Sequence, residues 1–226
     1  MTSPDRPVRV ASYNLRDFLD DRRAAATVVR AIDPDVLLLQ EVPRRAWPAP
    51  RVRSWASAAG LRWPGGHLGA GGTTVMLSDR VVVESCVHRG LPVPPGQRTR
   101  GYAEATVRLP AGVRLTAASV HLGLFEGQRL RHVRQVLATL PATGPLVLAG
   151  DLNEGEGAPS WTTLASRLTE LSPPGPTYPS WDPVARLDVV WGRDVDRVAG
   201  PEPRLDPGLL SRATDHLPVW VDLRVG

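Results

Sequence analysis

Lysine is absent from this 226-residue chain, so all 27 basic side chains are arginines, set against 23 acids for a net charge of +4. Guanidinium forks suit phosphate recognition, but coding bias accounts for the missing lysine more simply. A charge this small does not by itself indicate a nucleic-acid partner. The single cysteine, Cys86, excludes disulfides within the chain and thiolate metal clusters. Its neighbours Val81, Val82, Val83 and Val87 predict a buried strand thiol. No apolar run approaches the roughly 18 residues of a membrane span. The first six residues pass at once into the strand-like Val8 to Ser12, which leaves no room for the apolar core of a signal peptide. A soluble, cytoplasmic protein with no membrane span and no obligate protein partner is the expectation. Repeats, linkers and low-complexity segments are also missing, so residues 5–226 read as one domain.

What is present alternates strands with helices. Val8 to Ser12 reads as a strand, Asp21 to Ile32 as a helix with Asp20 as its cap, and Val36 to Leu39 as a strand buried on both faces. The signal weakens from Arg51 to Leu77, where Trp47, Trp55 and Trp63 read as core residues. Gly69 to Gly72 reads as a loop before a strand at Thr74 to Leu77, because no helix follows to make it a phosphate cradle. Strands follow at Val81 to Val87, Tyr102 to Leu109 and Val113 to His121, with a long Pro/Gly-rich loop from Arg89 to Gly101. A helix spans Glu126 to Leu140, with Leu130, Val133, Leu137 and Leu140 on one face and its arginines on a solvated one. The tail reads as a strand at Leu146 to Ala149, a helix near Ser160 to Leu168, a loop from Ser172 to Pro183, and strands at Leu187 to Trp191 and Leu217 to Leu223. Together these predict an α/β (α+β) sandwich on mixed sheets.

Polar residues that a core would not choose stand where these strands end. Asn14, Glu41, His121, Asp151 and Asn153 follow apolar strands, while Asp188 and the pair Asp215-His216 precede them. In a mixed sheet the starts of some strands and the ends of others share one rim, so all eight can converge. Oxygen ligands and histidines suit phosphoryl chemistry, in which Mg²⁺ or Mn²⁺ offsets charge on the phosphate oxygens. A serine triad is less natural, since no serine sits on a Gly-x-Ser-x-Gly elbow.

Six segments stand in a fixed order: Ser12-Tyr13-Asn14, Leu39-Gln40-Glu41, Ser119-Val120-His121, Gly150-Asp151-Leu152-Asn153, Arg186-Leu187-Asp188 and Thr214-Asp215-His216-Leu217-Pro218-Val219. In this the chain resembles the endonuclease/exonuclease/phosphatase superfamily, whose members include DNase I-like nucleases, abasic-site endonucleases, neutral sphingomyelinases and inositol polyphosphate 5-phosphatases. The resemblance implies a DNase I-like four-layer sandwich of two mixed β-sheets flanked by helices. It implies Glu41 as principal metal ligand with Asn14 and Asp215 beside it, and Asp151 as the group that orients or deprotonates the attacking water. Asn153 would hold the phosphate or that nucleophile. His216 would bind the scissile phosphate with Asp188 fixing its tautomer, and His121 would contact the phosphate and help the leaving oxygen depart.

One departure bears on metal number. Some nucleases of the superfamily carry an acid two positions after the asparagine, where this chain has Arg16, so a second cation site is disfavoured and Arg16 becomes a candidate for substrate phosphate. Arg98 and Arg100 are further phosphate candidates, and Tyr178 and Trp181 read first as packing over the rim, with stacking on a base or flanking a lipid headgroup as the alternative. No aromatic and basic insertion for prising DNA open is present, which disfavours damage-specific repair. The leading expectation is a phosphodiesterase acting on nucleic acid. A phosphomonoesterase or lipid phosphodiesterase is the alternative, and a non-catalytic phosphate-binding module is the competing class.

Overall fold

A run such as Val36-Leu37-Leu38-Leu39 has no polar face to offer water, so a strand made from it must be covered on both sides. In the computed structural model, which describes residues 6–226, that is what happens. The elements in chain order are β1 (Val8–Asn14), α1 (Arg22–Ile32), β2 (Val36–Gln40), α2 (Pro48–Ala58), β3 (Thr74–Leu77), β4 (Val82–Leu91), β5 (Arg100–Arg108), β6 (Arg114–His121), α3 (Glu126–Thr139), β7 (Leu146–Asp151), α4 (Pro159–Ala165), β8 (Thr169–Glu170), β9 (Asp188–Arg193), β10 (Asp196–Val198), α5 (Pro207–Ala213) and β11 (Val219–Arg224). They form a five-stranded sheet, β10-β11-β1-β2-β3, and a six-stranded sheet, β4-β5-β6-β7-β9-β8. Each sheet has one parallel pair, β1 with β2 and β6 with β7, among antiparallel neighbours.

The alternation of side chains along each strand sorts the core into three layers of contact. Val8, Val10, Val36 and Leu38 of the first sheet meet Leu115, Ala117, Val147, Ala149 and Val190 of the second. The opposite faces carry Ala11, Tyr13, Leu37 and Leu39 against α1 and α2, and Ala118, Val120, Leu148 and Trp191 against α3 and α4. The result is a four-layer sandwich of helices, sheet, sheet and helices.

Several local expectations need correction. Asp21, not Asp20, caps α1, accepting from the backbone N–H groups of Arg23 at 2.9 Å and Ala24 at 3.1 Å. Asp20 is instead taken up by Arg16. Helix α2 is hidden in the sequence because Pro48 and Pro50 read as loop, yet proline is tolerated in a first turn whose N–H groups lack partners anyway. Trp47 is 82% exposed rather than core, while Trp55 is buried and donates its indole N–H to the Arg22 carbonyl. The Arg89 to Gly101 loop is shorter than expected, because β4 and β5 stay paired as far as Leu91 opposite Arg100. Gly101 there serves close packing, since a Cβ would sit 2.5 Å from the Ala70 Cα. Cys86 is half-buried on edge strand β4, its thiol pushed up to about 11 by burial and Glu104. Strands β8 and β10 and helix α5 were not foreseen. On α3 the buried positions are Gln128, His132, Val133 and Val136, with Leu130 and Leu137 only half-buried. Its Arg129 is not simply solvated, because it pairs with Glu154 at 2.6 Å.

Candidate functional site

The inward-facing rows of the sandwich begin apolar and end polar. Following every second residue, Val8 and Val10 lead to Ser12 and Asn14, Leu115 and Ala117 to Ser119 and His121, and Val147 and Ala149 to Asp151. Strand register then sets His121 opposite Asp151 and Asp151 opposite Asp188 across three neighbouring strands. From the other sheet, Asn14 ends β1, and Glu41 follows β2 in a left-handed conformation, φ 50°. The turn before β11 brings Asp215 and His216. Beneath the rim, Gln40 donates to Ser119 Oγ at 3.0 Å and Ser119 donates to the Leu39 carbonyl at 2.8 Å, tying the two sheets together where their apolar contact ends.

Asp151 is the hub. Its Oδ1 accepts from the Asn153 backbone N–H at 2.9 Å, and its Oδ2 accepts from Asn14 Nδ2 at 3.0 Å. His121 Nε2 lies 3.3 Å and His216 Nε2 3.8 Å from the same Oδ2. His216 Nδ1 is 2.8 Å from Asp188 Oδ2, which also accepts from the Thr177 hydroxyl at 2.7 Å. Tyr178 packs against the His216 ring at a tilt of 48°, with centroids 4.9 Å apart. Thr177 carries no role in the sequence pattern alone. Its only signal was its place in the loop ahead of Asp188.

Burial and neighbours push these groups apart in acidity. Burial pulls His216 down, but Asp188 and Asp151 outweigh it and lift the ring to about 10, so it is an imidazolium at neutral pH. Burial, reinforced by Arg100, holds His121 well below 6.5 and therefore neutral. With its proton on Nε2 toward Asp151, His121 leaves Nδ1 as the buried nitrogen that has no partner. Burial raises the Asp151 carboxyl, against the pull of His216.

The remaining candidates take different positions. Arg16 Nε lies 3.2 Å from Asp215 Oδ2, and Arg98 Nη2 lies 3.1 Å from Glu41 Oε2 while also pairing with Asp17. Arg100 is buried in β5 and donates Nε–H to the Leu122 carbonyl at 2.8 Å, with Glu41 and Asp151 close enough to act on its charge. Asn153 donates its side-chain amide to that same carbonyl at 3.0 Å. Trp181 is 61% exposed.

The donor set for a cation is chemically apt. Glu41 and Asp215 are hard carboxylates and Asn14 offers an amide oxygen, which is what Mg²⁺ or Mn²⁺ prefers. Both carboxylates are at present matched by arginines, and among the described residues no three His, Cys, Asp or Glu side chains converge as a ligand cage.

A DNase I-like rim of this kind defines a class, and comparison with known proteins agrees. The model of the Endonuclease/Exonuclease/phosphatase family matches residues 11–216, and the chain belongs to that family, whose members are phosphoesterases. A search of curated proteins finds no match. Among solved structures, an endonuclease/exonuclease/phosphatase from Beutenbergia cavernae DSM 12333 is 25% identical over 98% of this chain and 72% of its own, with a TM-score of 0.76. The mannosyl-6-phosphatase Bt3783 of Bacteroides thetaiotaomicron VPI-5482 is 17% identical over 96% of this chain and 99% of its own, TM-score 0.72. D. rerio TDP2 complexed with single strand DNA product is 17% identical over 98% of this chain and 100% of its own, TM-score 0.73. These last two share the fold. Among the described residues no helix is long and apolar enough to cross a membrane.

Proposed function

We propose that this chain is a divalent-metal-dependent phosphoesterase that hydrolyses a phosphodiester of nucleic acid by in-line attack of water. The observation that carries the reading is the connected array Thr177, Asp188, His216 and Asp151, in which the His216 ring, held by Asp188, faces a buried carboxylate across 3.8 Å. Such an array offers a positive group for phosphate oxygens and a base for water side by side.

Asp151 Oδ2 takes a proton from the water while the water oxygen bonds to phosphorus and the opposite ester P–O bond breaks. The Asn153 backbone N–H fixes Oδ1, and this presents Oδ2 to the rim. His216 holds a phosphate oxygen through Nε2–H, with Asp188 fixing Nδ1–H. Neutral His121, whose Nε2 lies 3.3 Å from the same Asp151 Oδ2, hydrogen-bonds a phosphate oxygen without giving up its proton, the leaving oxygen takes its proton from solvent water, and Arg16 exchanges Asp215 for a phosphate oxygen. Glu41, with Asn14 and Asp215 beside it, would hold the cation, whose chemistry is to offset charge on the phosphate oxygens.

The test is turnover with Mg²⁺ or Mn²⁺ on single-stranded and duplex DNA, RNA, bis-p-nitrophenyl phosphate and p-nitrophenyl phosphate, each with an EDTA control. Chelator-sensitive cleavage of diesters is expected, and silence across all five would defeat the reading. A lipid phosphodiester is the second reading. Leu124 and Phe125, on the loop after His121, are 62% and 61% exposed, as a membrane-facing collar would be. Cleavage confined to phospholipid vesicles would favour it.

A further inference from the structure

Beside Glu41 the rim opens into a cleft of roughly 730 Å³ whose charged lining is Asp17, Arg44, Arg45, Arg51 and Arg98. Four guanidiniums therefore face one carboxylate. Asp17 is already engaged by Arg98 and, at 3.5 Å, by Arg44. Arg45 and Arg51 have no carboxylate partner among the described residues. Arginines on a convex helix face, such as Arg131 and Arg134, are each surrounded by water. Like charges lining one concavity repel. A concave, unneutralised positive site is what an incoming anion relieves.

The cleft also communicates with the proposed reaction centre. Arg98 lines it and lies 3.1 Å from Glu41. Arg44 is steadied by a 2.7 Å hydrogen bond to Thr99 Oγ1. One end of the cleft is thus held in place, while Arg45 and Arg51, the latter making only a 3.3 Å bond to the Arg45 carbonyl, keep donors to fork onto an anion.

We propose that this cleft is a second phosphate subsite, in which Arg44, Arg45, Arg51 and Arg98 bind a phosphate group of the substrate other than the one being cleaved. The proposal rests on the phosphoesterase reading and extends it by requiring a substrate with at least two phosphates. That second phosphate belongs either to the neighbouring unit of a polynucleotide or to a polyphosphorylated small molecule.

Binding is measured without turnover, in EDTA, on the full chain. The probes are fluorescein-labelled hexathymidylate, inositol hexakisphosphate as competitor, and dimethyl phosphate as a one-phosphate competitor. The variant is R45Q/R51Q, and R131Q/R134Q is its charge-matched control. Relative to wild type, R45Q/R51Q is expected to weaken multi-phosphate binding about tenfold or more, to lower the salt slope of log Kd by roughly 1 to 2, and to narrow the preference over dimethyl phosphate. The control should keep that preference. Loss confined to hexathymidylate assigns a neighbouring phosphodiester, and loss confined to the hexakisphosphate assigns a small molecule. Equal affinities in R45Q/R51Q and the control, or an equal loss for dimethyl phosphate, overturns the subsite. Because nothing is cleaved, a failure here is separate from a failure of the phosphoesterase reading, which turnover alone decides.

Discussion

Thr177→Val replaces one hydroxyl with a methyl group of similar shape and tests how the loop builds the rim. Thr177 Oγ1 uses its full capacity. It donates to Asp188 Oδ2 at 2.7 Å and accepts from the backbone N–H groups of Leu187 and Asp188, both at 3.1 Å. The residue is 4% exposed, so water is poorly placed to substitute. Each backbone donor left unpaired in a buried position costs about 1–3 kcal/mol, and roughly 3 kcal/mol in total is a moderate expectation. For a chain of this size about 2–4 °C of Tm accompanies each kcal/mol, which gives a fall of roughly 6–12 °C. Turnover should fall as well, by about tenfold. Asp188 Oδ1 already lacks a partner, so loss of Thr177 frees the carboxylate to swing from His216. Thr177→Ser restores the hydroxyl and should recover most of both effects. Thermal unfolding followed by circular dichroism, paired with kcat/KM on a cleaved diester, reads them together. If the valine variant matches wild type in both, or the serine variant is equally impaired, the loop does not organise the rim as described.

Other perturbations reach different parts of the molecule. His132 donates from Nε2 to the Pro92 carbonyl at 2.7 Å and accepts at Nδ1 from the Gly123 N–H at 3.3 Å, so it is held as a neutral ring. Burial holds it below its ordinary 6.5 despite Pro92, so the unfolded chain binds the proton more readily. Its contribution to stability should be intact above pH 6.5 and decline as pH falls through 6.5, and Tm curves of wild type and H132Q should converge toward pH 5. Parallel curves would contradict this. Gly150→Ala should destabilise by ~3 kcal/mol, since φ is 153° and a Cβ would lie 1.9 Å from the Val120 carbonyl oxygen; wild-type Tm would refute the clash. Asp21→Ala should cost about 1 kcal/mol by uncapping α1, whereas Asp20→Ala should leave the helix cap intact, as denaturant melts would reveal. Mg²⁺ at about 100-fold over its Kd should add about 2.7 kcal/mol to stability, and Glu41→Gln should remove most of that gain in a thermal-shift titration. An undiminished gain would place the cation elsewhere.

The chemistry was more legible in the sequence than the scaffold around it. Asn14, His121 and Asp151 were readable because polar residues interrupted apolar runs at strand ends, where the fold needs none. Helix α2 was obscured by the prolines of its own first turn, and β8 and β10 are too short to show a period. Arg100 looked like a loop residue among prolines and glycines until strand pairing drew it inside. Thr177 could not have been singled out. A threonine's value lies in partners set by tertiary geometry, and Asp188 is eleven residues further along the chain. Nor does the one-dimensional pattern reveal that Arg44 and Arg45 on the loop after β2, Arg51 on α2 and Arg98 on the loop between β4 and β5 line one cleft.

The most direct measurement is the rate of phosphodiester cleavage by wild type and by Asp151→Asn, at saturating Mg²⁺ and neutral pH, with matched unfolding curves for the two proteins. Asparagine keeps the shape of Asp151 and gives up the base. The expected result is a loss of about 10²–10⁴-fold in turnover with the fold preserved. Equal rates in two equally folded proteins would contradict the central claim that this rim performs the hydrolysis.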